Sequence, residues 1–195
     1  MKVRMKLQTK LLTSFLAMAG LALVIGVIGL RNMAAINNTA TVMYERELTG
    51  LSLVKEAKAN MLSAEANAKG YLLAATDEER KELRDRWDSY VALIYENMTE
   101  SEKTFFTEDG QKLLANIKAA VIEWQETSAQ VFAIRDSEKT FNLDSKAIEI
   151  SNEIGRLATH KVTDAIQEAV NRKENNAKTL NETGLALYKK SVVLL

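Results

Sequence analysis

The sequence predicts an all-α protein, an up-down-up-down four-helix bundle whose long first and fourth helices continue into transmembrane helices. Three observations predict this fold. The 195 residues contain no proline, a residue that removes a backbone donor and breaks helices. Apolar residues recur every three or four positions in four long segments. The connections between these segments are short, which favours neighbouring helices that run in opposite directions.

The N-terminal segment has the pattern of a membrane anchor. Residues 11–30 form an unbroken run without a charge, and as a helix this run is about 30 Å long, the thickness of the hydrocarbon core of a bilayer. Four cations and no acid precede it, namely Lys2, Arg4, Lys6 and Lys10. This excess of positive charge predicts that residues 1–10 are a cytoplasmic basic tail and that residues 11–30 are transmembrane helix 1.

A cleaved signal peptide is the alternative interpretation of the same segment. The apolar region of a signal peptide is about 7–15 residues long, and a small-x-small cleavage site follows it. The run in this chain is longer, and residues 29–32 (Gly-Leu-Arg-Asn) offer no clear site. The sequence therefore favours an anchor that stays attached.

Two start signals follow the first helix, which no breaker interrupts between Leu30 and Leu72. Residues 76–79 (Thr-Asp-Glu-Glu) form a capping box, in which the Thr76 hydroxyl accepts from the amide three residues on and the Glu79 side chain returns to the amide of Thr76. The second helix is predicted to end near Thr104. Residues 107–110 (Thr-Glu-Asp-Gly) are a weaker start signal, because a glycine falls within the first turn.

The third and fourth helices complete the predicted bundle. Trp87 and Trp124 fall on the apolar stripes of the second and third helices, so we expect both to pack in the core. The dipeptide at 136–137 is predicted to end the third helix. The fourth helix is predicted to begin near Glu138, with an apolar stripe that starts at Phe141.

Two polar stretches, residues 31–39 and 171–184, are predicted to join the bundle to the membrane as a neck. Tyr188 and the two lysines after it suit a membrane interface, where an aromatic ring and snorkelling cations are favoured. We therefore predict an extracytoplasmic sensor domain over residues 31–187. Residues 188–195 are predicted to be the start of transmembrane helix 2, which is truncated.

The charge and the residue types exclude several functions. The chain has 26 cations and 26 anions, so it lacks the basic footprint of a nucleic-acid-binding protein. It has no cysteine and a single histidine, His160, and one chain therefore cannot build a hydrolytic triad or a multi-histidine metal site. We predict no enzyme activity, no catalytic residue, no metal and no cofactor. His160 is expected to be a half-exposed polar position, and a pH-sensing role is the alternative.

A candidate ligand site follows from the alignment of the first and fourth helices. If Arg31 and Leu185 both mark the membrane surface, two pairs of residues stand level. These pairs are Lys55 with about Lys161 and Lys58 with about Ala158. The resulting basic zone would receive an anion such as a carboxylate. The predicted ligand-binding residues are Lys55, Lys58, Arg156 and Lys161. Solvated faces and ion pairs with neighbouring acids are the alternative interpretation.

Residues 42–80 carry a family resemblance. They contain Tyr44-Glu45-Arg46, a leucine-rich turn, a run of small residues, a leucine pair and an Ala-Thr-Asp-x-x-Glu-Arg-like helix start. This stretch resembles the four-helix-bundle sensor region of bacterial methyl-accepting chemotaxis proteins. The layout of basic tail, span, four helices and an Ala-Leu-Tyr-Lys-Lys lead into a second span matches along the chain. Family members commonly have a proline after the leucine that corresponds to Leu48, where this chain has Thr49.

The resemblance implies a receptor in the bacterial inner membrane, with a cytoplasmic N-terminus and a periplasmic or extracellular bundle. The implied partners are a small-molecule ligand or a ligand-loaded binding protein, membrane lipid and a second copy in a homodimer. A cytoplasmic kinase and adaptor would connect only through a C-terminal region that is missing here. The implied mechanism is a displacement of the fourth helix by ligand binding.

The polar necks favour the same homodimer, because such stretches are not stable as lone helices and gain by packing together. The candidate dimer or packing residues are Ile36, Met43 and Tyr44. Two alternative functions remain open. The alternatives to a chemoreceptor sensor are the input domain of a sensor histidine kinase or cyclase, and a ligand-free, membrane-tethered structural bundle.

Overall fold

The computed structural model describes residues 6–138 and 145–193 of the chain. All regular structure in these two ranges is helical, and neither range contains a strand. The chain divides into two compact units. The first unit joins Met1–Met43 to Lys178–Leu195, and the second unit is Tyr44–Ala177.

Within the described ranges, six α-helices form the fold. They are α1 (Leu7–Val42), α2 (Thr49–Leu73), α3 (Asp77–Ser101), α4 (Glu108–Ser137), α5 (Lys146–Ile150) and α6 (Arg156–Val193). A first π-helical segment, Met43–Leu48, precedes α2, and a second, Ser151–Gly155, precedes α6. A 3₁₀ turn, Glu102–Thr104, follows α3.

The second unit is a four-helix bundle made by α2, α3, α4 and the part of α6 up to residue 177. Between α2 and α6, the contacts Lys55–Glu174 and Glu65–Thr159 show that residue numbers rise on one helix and fall on the other. The same inversion relates α3 to α4, where Trp87 contacts Phe132 and Tyr95 contacts Gln125. Neighbouring helices are therefore antiparallel, and the predicted up-down-up-down topology is confirmed.

The core of the bundle contains the two tryptophans that the sequence assigned to it. Trp87 and Trp124 are each 1% exposed, and their ring centroids lie 5.4 Å apart. Met61 on α2, Ile94 on α3 and Val162 on α6 are completely buried around them. Full burial of a side chain of this size stabilises the folded state by about 1.5–3 kcal/mol. Together with the two tryptophans, these side chains join all four helices in one core.

Both predicted start signals are helix caps. The Thr76 hydroxyl accepts a hydrogen bond from the Glu79 amide at 3.2 Å, and the Thr107 hydroxyl accepts one from the Gly110 amide at 3.1 Å. The reciprocal bond of the capping box differs from the prediction. Glu79 Oε2 accepts from the amide of Ala75 at 3.1 Å and not from that of Thr76. The extended backbone of Ala74 and Thr76 brings the Ala75 amide within reach of this carboxylate.

The fourth predicted helix begins differently from the expectation. Glu138 ends α4, because its amide donates to the carbonyl of Arg135 at 3.2 Å. Phe141, predicted to start the apolar stripe, lies outside the described residues. At the start of the second described range, the Ser145 hydroxyl caps α5 by accepting a hydrogen bond from the Ile148 amide at 3.2 Å.

The first unit contains α1 and the part of α6 from residue 178 onward. Among the described residues, the helix Leu7–Leu73 is long and apolar enough to cross a membrane, and no part of its most apolar stretch is buried. This property agrees with the span predicted over residues 11–30. The membrane topology and the domain boundaries remain predictions.

Candidate functional site

Two of the predicted ligand-binding cations lie on α2 and bridge to α6 within the second unit. Lys55 Nζ lies 2.7 Å from Glu174 Oε1 in an ion pair whose two side chains are 53% and 49% exposed. Lys58 Nζ donates to Gln167 Oε1 at 2.6 Å. Each ammonium group therefore already has a protein acceptor on the neighbouring helix.

The other two cations lie on α6. Lys161 forms an ion pair with Glu123 of α4, and both side chains are more than half exposed. Arg156 is exposed, and its Nε donates to the backbone carbonyl of Asn152 at 3.3 Å. His160, beside Lys161, is exposed as well.

The alignment that was expected to bring these four cations together is wrong. Lys55 stands level with Glu174, which lies thirteen residues, or about 20 Å of helix, beyond Lys161. The reason is the assumption that Arg31 and Leu185 are level. In the first unit a Cβ on Gly184 would lie 3.9 Å from Thr39, so Gly184 is level with Thr39 and not with a residue near Arg31. A given level of the first predicted helix therefore corresponds to a higher residue number on α6 than was assumed. The cations are spread along the bundle, and ligand binding by them remains a prediction.

A buried polar cluster lies where the first π-helical segment packs against α6. It consists of Glu47, Thr104, Lys173 and Asn176. Lys173 Nζ lies 3.3 Å from Glu47 Oε2, donates to the carbonyl of Arg46 at 3.2 Å, and donates to the carbonyl of Thr104. The three N–H groups of the ammonium thus meet three acceptors, which is the full donor capacity of a lysine.

The Glu47 carboxylate is equally well satisfied. Its Oε1 accepts from Arg46 Nε at 2.6 Å, and its Oε2 accepts from Asn176 Nδ2 at 3.2 Å. The Phe105 ring covers the ammonium of Lys173, with the ring centroid 4.3 Å from Nζ. An aromatic face stabilises a desolvated cation. The cluster therefore joins the first π-helical segment, the turn after α3, and α6.

The local sequence explains how the chain reaches this arrangement. A π-helical turn contains more residues than an α-turn and turns a side chain that follows it to another face. The Thr49 hydroxyl donates to the carbonyl of Tyr44, five residues earlier, at 3.0 Å, and so satisfies a carbonyl of the widened segment. At Gly50 a Cβ would lie 2.7 Å from Lys173 Cε and 2.9 Å from Thr104 Cβ. Only glycine permits this close approach.

Burial and partners act in opposite directions on the Glu47 carboxyl. Burial raises its pKa, but the hydrogen bonds from Arg46 and Asn176 and the charge of Lys173 outweigh burial, so the pKa lies below its ordinary value. For Lys173, burial lowers the pKa and Glu47 offsets only part of that effect. The charged pair is therefore maintained by its partners although both side chains are almost fully buried.

A second polar group joins three helices in the middle of the bundle. Glu65 Oε2 of α2 accepts from the Thr159 hydroxyl of α6 at 3.0 Å and from the Trp124 indole N–H of α4 at 3.4 Å. A cavity of about 20 Å³ adjoins Glu65 and reaches Ser151 and Gly155 in the second π-helical segment. This carboxylate therefore links α2, α4 and α6 at one level of the bundle.

An aromatic group closes the end of the bundle near the α2–α3 connection. Phe132 lies 4.6 Å from Tyr71 and 5.2 Å from Trp87, measured between ring centroids. The Arg84 guanidinium lies 4.5 Å from the Phe132 ring. The Tyr71 hydroxyl donates to Asp136. Burial, together with this hydrogen bond and the negative charge of Asp136, raises the pKa of Tyr71 to about 12.

Arg135 connects α4 to the end of α2. Its side chain is 1% exposed, its Nε donates to the carbonyl of Leu72 at 3.0 Å, and its Nη2 donates to that of Ala74 at 3.1 Å. Carbonyls at the last turn of a helix lack helical partners. Arg135 therefore supplies the C-terminal cap of α2.

The three candidate dimer residues have different surroundings. In the first unit, Ile36 and Met43 line an apolar groove of about 250 Å³ together with Leu180 and Tyr188 of α6 in the same chain. In the second unit, Tyr44 is 69% exposed. The homodimer remains a prediction, but Tyr44 is the candidate with the free surface.

The buried pair was missed in the sequence, although a signal for it exists. Glu47 falls four residues after Met43 and seven before the buried Val54, and Lys173 continues the stripe of Ile166 and Ala169. A charge on the apolar face of each of two helices predicts a buried ion pair. Over residues 6–138 and 145–193, no group of His, Cys, Asp and Glu side chains forms a metal-binding arrangement.

Comparison with known protein families identifies a matching family. The family described as a four-helix-bundle sensory module for signal transduction matches residues 4–188 of the chain. No curated protein and no solved structure matches the sequence significantly.

Proposed function

The chain belongs to the family of four-helix-bundle sensory modules for signal transduction, and we propose that it is the extracytoplasmic, ligand-sensing and signal-transducing part of a membrane-bound chemoreceptor. The family match along residues 4–188 carries this proposal, because the described role of the family is sensory. That role also disfavours a ligand-free structural bundle. An input domain of a histidine kinase or cyclase would use the same module.

The placement of the bundle outside the inner membrane is part of the proposal. Residues 11–30 are apolar and unburied, and four cations precede them. The positive-inside bias then keeps the N-terminus in the cytoplasm and sends the rest of the chain across the bilayer. In this topology residues 11–30 contact lipid, and the bundle meets ligands or ligand-loaded binding proteins from outside.

The proposed ligand is a small carboxylate that competes with the acids already paired to the bundle cations. The exposed pair of Lys161 and Glu123 holds α6 against α4. Exposed ion pairs contribute only about 0.2–1 kcal/mol, so a ligand carboxylate can replace Glu123 at low cost. Replacement removes one link between α6 and α4, and this is how binding would shift the fourth helix.

The proposed relay runs along α6. This helix continues for 38 residues, Arg156–Val193, without a break. Its first part belongs to the second unit and its last part to the first unit. A continuous helix transmits an axial shift over its length, which is about 57 Å at 1.5 Å per residue. The proposed output is a movement of the second span and of a cytoplasmic region attached to it.

We propose that Tyr44 lies at the interface of a homodimer. This side chain is largely exposed on the first π-helical segment, and Leu48 of the same segment is exposed as well. Two neighbouring apolar side chains in water favour coverage by a partner, and a second copy of the chain presents the same surface.

Thermal unfolding of the whole chain in detergent micelles tests the sensing step. The probes are succinate and aspartate, each compared with chloride at equal ionic strength. We expect at least one carboxylate to raise the unfolding midpoint of the wild type and of Lys112→Ala, an exposed control whose lysine pairs with Glu108. The same probe should fail on Lys161→Ala. An equal rise in Lys161→Ala would overturn the proposed contact.

A further inference from the structure

A cleft opens beside the buried polar cluster within the second unit. Its volume is about 40 Å³. A water molecule needs about 10–15 Å³ of such space, so the cleft has room for three or four water-sized groups. The polar side chains in its lining are Arg46, Glu47, Thr104, Thr107, Arg172, Lys173 and Asn176.

Positive charge dominates this lining. Arg46, Arg172 and Lys173 contribute three cations, whereas Glu47 is the one carboxylate among the lining residues. Glu47 is already held by Arg46, Asn176 and Lys173. Its charge thus compensates the buried ammonium and leaves the two guanidinium groups without an equal number of acids.

Arg172 is the less satisfied of the two arginines. Its Nη2 donates to the Thr107 hydroxyl at 3.1 Å. In the part of the chain that the structure describes, none of the ion pairs involves Arg172. An arginine presents five N–H donors in a planar fork, which suits a carboxylate. Most of this fork is therefore available beside the cleft.

The pKa of the neighbouring Lys173 is affected by the same excess of positive charge. Burial lowers the pKa of Lys173, and the charges of Arg46 and Arg172 lower it further. Both guanidinium groups therefore act on the site from close range. An anion between them would relieve this repulsion.

We propose that the cleft binds a small monoanion of three or four heavy atoms, of the formate, acetate or bicarbonate class, between the guanidinium groups of Arg46 and Arg172. The Thr107 hydroxyl and the Asn176 amide supply further polar contacts to its oxygen atoms. The volume excludes dicarboxylates such as succinate. This site is separate from the Lys161–Glu123 pair and serves as a second, smaller anion site.

The bound anion would bridge two elements. Arg46 lies on the first π-helical segment and Arg172 lies on α6. An anion held by both fixes the axial position of α6 and so opposes the shift that the proposed relay requires. This regulatory consequence depends on the proposed function, whereas the binding itself does not.

Sodium formate is the probe for the binding test, with sodium chloride at equal ionic strength as the reference. Thermal unfolding of the whole chain in detergent micelles is followed for the wild type, for Arg172→Gln, and for Arg86→Gln. Arg86 is an exposed arginine on α3 that pairs with Glu82, so its variant is the matched control. We expect formate to raise the midpoint saturably in the wild type and the control. The rise should be lost in Arg172→Gln, and succinate should give no rise in Lys161→Ala, which lacks the proposed sensing contact.

Further variants separate this proposal from the sensing proposal. The Lys161→Ala variant should keep its response to formate, because the cleft is intact. If Arg172→Gln does not fold, Arg172→Lys takes its place, with an expected five- to tenfold weaker response. The cleft proposal is overturned if formate gives no saturable rise in the wild type, or if the rise survives in Arg172→Gln or keeps its wild-type size in Arg172→Lys. It is also overturned if the rise disappears in Lys161→Ala instead.

Discussion

The carboxylate of Glu47 and the ammonium of Lys173 form an ion pair of 3.3 Å in which each residue is only 2% exposed. Desolvation of two charges costs several kcal/mol per ion, and the partners recover this free energy only when every lone pair and proton is satisfied. Arg46, Thr104 and Asn176 provide those remaining bonds. The stability of the pair therefore depends on these neighbours. Removal of one member should lower the free energy of unfolding more than removal of both.

The variant Lys173→Met tests this dependence. It removes one of the two cations paired with the buried Glu47 carboxylate and leaves only Arg46, so we expect the free energy of unfolding to fall by about 3–5 kcal/mol. The double variant Glu47→Met with Lys173→Met should recover most of that loss. Chemical unfolding of the whole chain, followed by circular dichroism, measures both. The control is Lys112→Met, which breaks an exposed pair and should change the free energy by less than about 1 kcal/mol. A double variant as unstable as Lys173→Met would contradict the account.

Gly50→Ala tests the close approach of α2 to Lys173 and Thr104. Alanine is favoured over glycine in a helix by about 1 kcal/mol, but here its Cβ would lie 2.7 Å from Lys173 Cε. We expect a net destabilisation of about 1–3 kcal/mol, the usual cost of overpacking. Gly184→Ala is the matched control, because its Cβ would meet its nearest neighbour at 3.9 Å. The control should leave the unfolding midpoint unchanged or raise it. A stable Gly50→Ala protein would show that the approach is looser than described.

Alkaline pH should weaken the bundle through Tyr71. The folded-state pKa of about 12 lies above the ordinary value of 10.0. The unfolded chain therefore loses this proton first, so the contribution of the group is complete below pH 10 and is lost between pH 10 and 12. The loss amounts to about 2–3 kcal/mol. Tyr71→Phe cannot ionise, so the stability difference between wild type and variant should shrink over this window. A difference that stays constant would exclude a raised pKa at Tyr71.

Single cysteines test the proposed dimer surface, because the native chain has no cysteine. In membranes, Tyr44→Cys should form a disulfide between copies under mild oxidation. Met43→Cys should do so poorly, since Met43 lines the groove with α6 of its own chain. Ile122→Cys, exposed on α4, is the control for random collision. Gel electrophoresis without reductant measures the dimer fraction. Equal cross-linking at Ile122 and Tyr44 would remove the argument for this surface.

Local features of the fold were predictable because their causes are local. The Thr76 and Thr107 caps depend on side chains that reach amides three residues away, and these distances are fixed by helix geometry. Trp87 and Trp124 were assigned to the core by spacing alone, since apolar residues at helical intervals share one face. The topology followed from the short connections.

The candidate site was less predictable because it depends on how two distant segments align. The expected meeting of Lys55 with Lys161 assumed a common membrane level for Arg31 and Leu185, and no local feature fixes that level. The π-helical segments also have no simple sequence signature. The first one holds Glu47 against Lys173, a residue far along the chain, and such a tertiary contact is not visible in the local pattern.

The two π-helical segments bear on how this chain compares with its relatives. A residue added to an α-helix rotates everything after it by about 100°, whereas a π-turn confines the extra residue to one wide loop of backbone. Deletion of one residue within 43–48 or 151–155 would be absorbed there, and the core faces of α2 and α6 would be preserved. Alignments of related sensory modules should accordingly place single-residue gaps at these two positions more often than elsewhere in the same helices.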